Sequence, residues 1–143
     1  LIGSTSNSSV IGQLKNNLGE NIMNDTFMRI LSGNDSLVEV EPSSMVELDA
    51  FTTDDQTELN QSYFASGDKN VLAGVWECAP CKEEIESYPV HEMMTIISGS
   101  VTLTNKKGKS ETFTAGDVFF IPKGAQCTWH ITETLRKIYM IAG

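Results

Sequence analysis

The chain has 143 residues, 40 % hydrophobic and 20 % charged, and a formal net charge of −9. That length and mix fit one globular domain with one core. They set aside nucleic acid as a partner, because no basic patch stands out, and a membrane span, because no apolar run approaches the ~20 residues it needs.

Acidity is uneven: residues 1–70 carry 11 acidic and 3 basic side chains, residues 71–143 carry 8 and 7. Residues 1–9 are small and polar, and are expected to be loosely attached. Val10, Ile11, Leu14 and Leu18 then follow helical spacing up to Gly19, and Met23, Phe27, Ile30 and Leu31 repeat it up to Gly33. Residues 1–36 therefore read as an N-terminal, partly helical extension that straps the barrel or makes a dimer contact.

After Val38 the period changes. Short β-branched or alternating runs occur at Leu37–Val40, Met45–Leu48, Val71–Glu77, Met93–Ile97, Val101–Thr104, Thr112–Phe113, Val118–Ile121, Cys127–Ile131 and Leu135–Ile141. Turn signals around Gly67, Gly108, Gly116 and Gly124 separate them. Many short strands without intervening helices predict an all-β sandwich or barrel over residues 37–143.

The three cysteines, Cys78, Cys81 and Cys127, are too few and odd in number for a disulfide scaffold, and the expected location is cytoplasmic. Cys78-Ala79-Pro80-Cys81 lacks the βαβ context of a redox pair and is half of a zinc site at most. Two unpaired thiols in a loop are expected there.

Two segments are more specific. The first is Tyr88-Pro89-Val90-His91-Glu92-Met93-Met94-Thr95-Ile96-Ile97-Ser98-Gly99; the second is Gly116-Asp117-Val118-Phe119-Phe120-Ile121-Pro122-Lys123-Gly124 and on to Cys127. Glycines suit tight backbone at strand ends, and Pro122 fixes φ as the chain leaves a strand that can be buried on both faces. Together the segments resemble the two motifs of the cupin superfamily, the RmlC-like jelly rolls. Gly74-Val75-Trp76-Glu77, Cys127-Thr128-Trp129 and the run Glu133 to Tyr139 resemble the ureidoglycine aminohydrolase and ethanolamine-utilisation branch. The resemblance implies a jelly-roll (double-stranded β-helix) barrel, homodimerisation and one small-molecule pocket.

Register carried over from the family places the metal-ligand positions on Glu86, Tyr88, Glu92 and Cys127. None is a histidine. Glu86, Glu92 and Cys127 could offer two carboxylates and a thiolate to one divalent metal, Zn, Mn, Fe or Ni, with Tyr88 a poor fourth ligand. Without a metal, Glu86, Tyr88 and Glu92 would supply acid and base groups. By alternation His91 and His130 point away from the pocket, and Trp129 shares the face of Cys127. Trp76 is expected to pack. Arg136 and Lys137 face opposite sides of a strand. Tyr88, Trp129 and Arg136 are the substrate-binding candidates, Arg136 for a ligand carboxylate. Three functions remain open: a metal-dependent or acid–base enzyme of aminohydrolase or isomerase type acting on a small polar metabolite, a non-catalytic binder of such a molecule with a degenerate metal site, or an interaction protein whose N-terminal extension dimerises or recruits a partner.

Overall fold

A computed structural model describes residues 41–143 together with Ile30. The helices expected before residue 36 and the strand expected at residues 37–40 lie outside the described residues. Eight strands follow: β1 (Glu41–Pro42), β2 (Glu58–Ala65), β3 (Val71–Cys78), β4 (Cys81–Ile85), β5 (His91–Asn105), β6 (Ser110–Thr114), β7 (Val118–Ile121) and β8 (Cys127–Ala142). Every strand pairing is antiparallel. Among the described residues no helix is long and apolar enough to cross a membrane.

Two long strands organise the jelly roll. The C-terminal part of β8, Leu135–Ala142, pairs with β3, while its N-terminal part, Cys127–Ile131, pairs with β4. β5 runs beside both parts, and carries β7 at its start and β6 at its end. One layer is therefore β1-β2-β3-β8-β5-β7 and the other β4-β8-β5-β6. Phe113 and Phe119 stack between the layers with centroids 4.0 Å apart.

The crossing from layer to layer is made at Gly99. The β5–β8 register shifts between Ile96 and Val101, and Gly99 sits at φ +79°. A Cβ there would lie 2.0 Å from the Thr134 carbonyl oxygen, so the two bent strands touch backbone to backbone.

Met93–Ile97 and Val101–Thr104 are thus one bent strand, as are Cys127–Ile131 and Leu135–Ile141. Met45–Leu48 is not a strand. The main-chain N–H groups of Met45 and Val46 donate to the Glu58 carboxylate, 2.9 and 3.1 Å away, instead of to a ladder. Glu58 also accepts from Ser43 Oγ and from Trp76 Nε1, both at 3.0 Å. Glu58→Ala leaves these buried donors without an acceptor and should cost about 3 kcal/mol, read by urea unfolding. Faster amide exchange at Met45 and Val46 should accompany it.

The expectation that Val118–Ile121 is buried on both faces is corrected: Val118 and Phe120 are 60 % and 56 % exposed. Among the described residues β7 is bonded on one side only, to β5, and it presents one face outward. Phe120 lies across from Met93, which lies across from Met140, so three exposed apolar side chains form a row on the outer sheet face.

Candidate functional site

Alternation decides what faces the barrel interior. On β8 the buried residues are Cys127, Trp129, Ile131, Leu135, Lys137, Tyr139 and Ile141. On β5 they include Glu92, Met94 and Ile96, and on β4 Cys81, Glu83 and Ile85. The centre of the barrel is therefore polar, with a lysine and two carboxylates enclosed among aromatic rings.

Lys137 is 1 % exposed and its Nζ lies 3.0 Å from Glu92 Oε1, a residue with no exposure at all. Met94 Sδ is 3.4 Å from the ammonium. The rings of Trp76 and Trp129 flank it at 4.8 and 4.9 Å to their centroids. The Tyr88 hydroxyl donates to Glu92 Oε2. Burial pushes the Glu92 carboxyl up, but the Lys137 ammonium and the Tyr88 hydroxyl help to outweigh it, and Glu92 sits below the usual carboxylate range. Burial and the Glu92 charge push the Tyr88 hydroxyl well above its ordinary value, so Tyr88 stays a donor. The Tyr88 main chain is clamped to the second motif: its N–H donates to the Ala125 carbonyl and its carbonyl accepts from the Gly124 N–H, both at 2.8 Å.

Tyr88, Glu92 and Trp129 are together inside the barrel. Glu86 is corrected: it is exposed, because β4 ends at Ile85 and the inward side chains of that strand are Cys81, Glu83 and Ile85. Arg136 is corrected too. It lies on the opposite face from Lys137 and pairs with Glu77, with Nη2 to Oε2 at 2.8 Å. His91 is exposed, accepts from the Lys123 N–H at 3.1 Å and stacks on Phe120. Cys78 and Cys81 are both buried and free, with sulfurs 3.9 Å apart. They end β3 and begin β4 rather than sitting in a loop. The Cys81 thiol and burial push the Cys78 thiol up, which keeps it protonated.

Two clefts open at the mouth, where β4, β5 and β8 begin or end. One, of about 270 Å³, is lined by Leu103, Phe113, Phe120, Ile121 and Lys109 among others. The other, of about 280 Å³, is lined by Glu84, Glu86, Thr104, Lys106 and Thr128 among others. Asn105, Gln126 and Cys127 line both. Burial pushes the Cys127 thiol up, so it meets the clefts as a neutral group.

Glu83 is the inward carboxylate that sequence reasoning passes over. It is 7 % exposed, and burial pushes its carboxyl up to about 7, against a hydrogen bond from the Glu47 N–H at 3.3 Å. Its native pKa is raised, so its contribution to stability is fully present below the unfolded value and is lost as pH rises through about 7. Glu83→Gln should therefore flatten stability between pH 5 and pH 8, measured as Tm across that range. An unchanged slope would place the titration elsewhere.

The donors do not suit a metal. Among the described residues no three His, Cys, Asp or Glu side chains gather into a metal-holding group. Glu86 is outside the barrel, Cys127 is a raised-pKa thiol, and the Glu92 oxygens are engaged by Lys137 and Tyr88.

A jelly-roll barrel with a polar centre and clefts at its mouth is the architecture of the cupin class. Residues 65–139, just over half of the chain, match the EutQ-like cupin domain, and the chain belongs to that family. No curated protein matches the chain. Among solved structures, a protein of unknown function of the DUF861 family from Pseudomonas syringae pv. tomato is 29 % identical, with TM-score 0.67 over 76 % of this chain and 46 % of that one. The chain thus spans about half the length of that structure. The EutQ protein of Clostridium difficile is 18 % identical with TM-score 0.52, over 61 % of this chain and 68 % of that one. The cupin domain of Schizosaccharomyces pombe Cnp3 is 22 % identical with TM-score 0.51, over 62 % of this chain and 66 % of that one. The last two share the fold.

Proposed function

We propose that this barrel binds a small polar metabolite without a metal and without turnover. The observation that carries this reading is the Lys137 ammonium, bonded to Glu92 at the heart of the barrel. It puts a fixed positive charge against the carboxylate that the family register offers to a cation. The ligand would enter by the two clefts, with Asn105, Gln126 and Cys127 at their junction. Cys127 has no base arranged to take its proton among the hydrogen-bonded groups described, which supports binding over nucleophilic chemistry. Tyr88 and Trp129 support the inner wall. The free, buried thiols support a reducing, cytoplasmic setting.

The test is a panel of small polar metabolites, read by side-chain amide signals of Asn105 and Gln126 in the ¹⁵N-labelled protein. Saturable shifts with no loss of ligand over hours are expected. Ligand consumption would favour the second reading, an acid–base enzyme of aminohydrolase or isomerase type, which the near-neutral titration of Glu83 supports.

The same reading includes a homodimer formed through the outer sheet face. The Phe120–Met93–Met140 row supports it, since exposed apolar side chains in line on one sheet are unusual on a monomer. Light scattering should give the mass of two chains for the native protein and of one chain for Phe120→Lys. A native monomer at micromolar concentration would refute the dimer.

A further inference from the structure

One face of β6 turns into the first cleft. Lys109, just before the strand, and Glu111 and Phe113 on it occupy every second position, and all three line the cleft. Ser110 and Thr112, between them, face the other way, where their hydroxyls meet those of Thr104 and Thr102 at 2.7 Å. β5 continues the cleft face: Leu103 lies across from Glu111, and the buried Val101 across from Phe113. The cleft therefore presents a cation, an anion and an aromatic ring in line, with steps of about 6.7 Å along the backbone.

Neither charge is matched within the described residues. The salt bridges there join Arg136 to Glu77 and Lys137 to Glu92, and Lys109 and Glu111 take part in none. Asn105 sits beside Lys109 where the hairpin closes, its N–H donating to the Lys109 carbonyl at 2.9 Å. The Asn105 Oδ1 accepts from the Lys107 and Lys109 N–H groups at 2.9 and 3.0 Å, so the side chain offers the cleft its Nδ2 donors. Donors thus gather at one end of the row, a carboxylate stands at its centre, and Leu103, Phe113 and Ile121 give an apolar wall.

A ligand that fills the cleft takes water from both charges, so each calls for an opposite charge on the ligand. A carboxylate alone would leave Glu111 unmatched, an ammonium alone would leave Lys109, and an uncharged ligand would leave both. The other charges at the mouth, Glu84, Glu86 and Lys106, line the second cleft and not this one. We propose that the first cleft is a site for a free α-amino acid with a large apolar side chain. Its carboxylate meets the Lys109 ammonium and the Asn105 Nδ2 donors, its ammonium meets the Glu111 carboxylate, and its side chain lies on Leu103, Phe113 and Ile121. The volume of about 270 Å³ is at the small end of ligand pockets, roughly 300–1,000 Å³, which suits one amino acid rather than a peptide. This names the ligand class of the binding reading above and rests on it.

Four probes test the site by titration of the ¹⁵N-labelled full chain: phenylalanine, 3-phenylpropionate without the ammonium, phenethylamine without the carboxylate, and alanine without the ring. Phenylalanine should shift the main-chain amides of Leu103, Glu111 and Phe113 saturably, and bind about five-fold more tightly than each of the other three. Lys109 and Glu111 are exposed, so their variants keep the fold. Lys109→Gln should bring phenylalanine down to the affinity of phenethylamine, and Glu111→Gln down to that of 3-phenylpropionate. Phenylalanine no tighter than either single-charge analogue would overturn the zwitterion assignment, and equal binding of alanine would overturn the apolar wall. Shifts at Thr104 and Thr128 with none at Glu111 would place the ligand in the second cleft; they would overturn this site and leave the binding reading standing. Silence from all four probes would also overturn it, and silence from the metabolite panel as well would overturn both.

Discussion

Lys137→Met should destabilise the protein by about 3–5 kcal/mol, because it strands the Glu92 carboxylate in the barrel without its ammonium. For a domain of this size that corresponds to a fall in Tm of roughly 10–25 °C. The pair itself contributes less than the cost of breaking it. The double variant Lys137→Met/Glu92→Met should recover to within about 1–2 kcal/mol of native, since an apolar replacement avoids desolvating two charges. The pH dependence should also invert. In the native protein Glu92 is held below its unfolded pKa, so its contribution is present above that unfolded value and is lost as pH falls through the native one. In Lys137→Met burial raises the Glu92 carboxyl, and its contribution is largest in acid and is lost as pH rises. A single variant as stable as native, or one with the native acid limb, would mean that the pair does not hold the barrel.

Gly99→Ala should be nearly as damaging, by about 3 kcal/mol or more in urea unfolding. An alanine at φ +79° pays about 1–2 kcal/mol in backbone strain alone, and its Cβ would sit 2.0 Å from a main-chain oxygen of Thr134. The neighbour is backbone, so nothing flexible can give way. Gly108→Ala is the control: φ is +81°, yet no atom lies within 4 Å of the added Cβ. It should lose only the strain, about 1 kcal/mol. Equal losses at the two glycines would show that β5 and β8 do not meet at Gly99 as described.

Much of the barrel was legible because alternation and turn residues carry the same message. β3 and β7 lie where the runs Val71–Glu77 and Val118–Ile121 predict, and the glycines at 99, 108, 116 and 124 all take positive φ. β2 was not legible. Its sequence Glu58-Leu59-Asn60-Gln61-Ser62 alternates polar groups on both faces, because its inward face carries Glu58 and Asn60 to hydrogen-bond Trp76 and Tyr139 rather than to fill an apolar core. β4 was hidden for the same reason: Lys82-Glu83-Glu84 puts charged groups on both faces, and only pairing with β8 shows that Glu83 faces in.

At the site, parity was the available signal. Lys137 is in step with Trp129 and Cys127, all odd-numbered on one strand, and the irregular stretch at Thr132–Thr134 preserves that phase. Arg136 is out of step and meets Glu77 outside. Glu86 failed because family register was extended past the end of β4, where alternation no longer applies. No local pattern announces that a buried lysine will meet a glutamate 45 residues earlier; that contact is made by the β5–β8 pairing.

The barrel keeps a lysine ammonium on Glu92, the carboxylate that the family register would offer to a metal. The most direct measurement is metal content per chain, by elemental analysis of tag-free protein incubated with zinc, manganese, iron and nickel and then freed of unbound ions. Sub-stoichiometric metal is expected in the native protein, with no change in Glu92→Gln. Near one equivalent of any of these metals in the native protein, lost in Glu92→Gln, would contradict it.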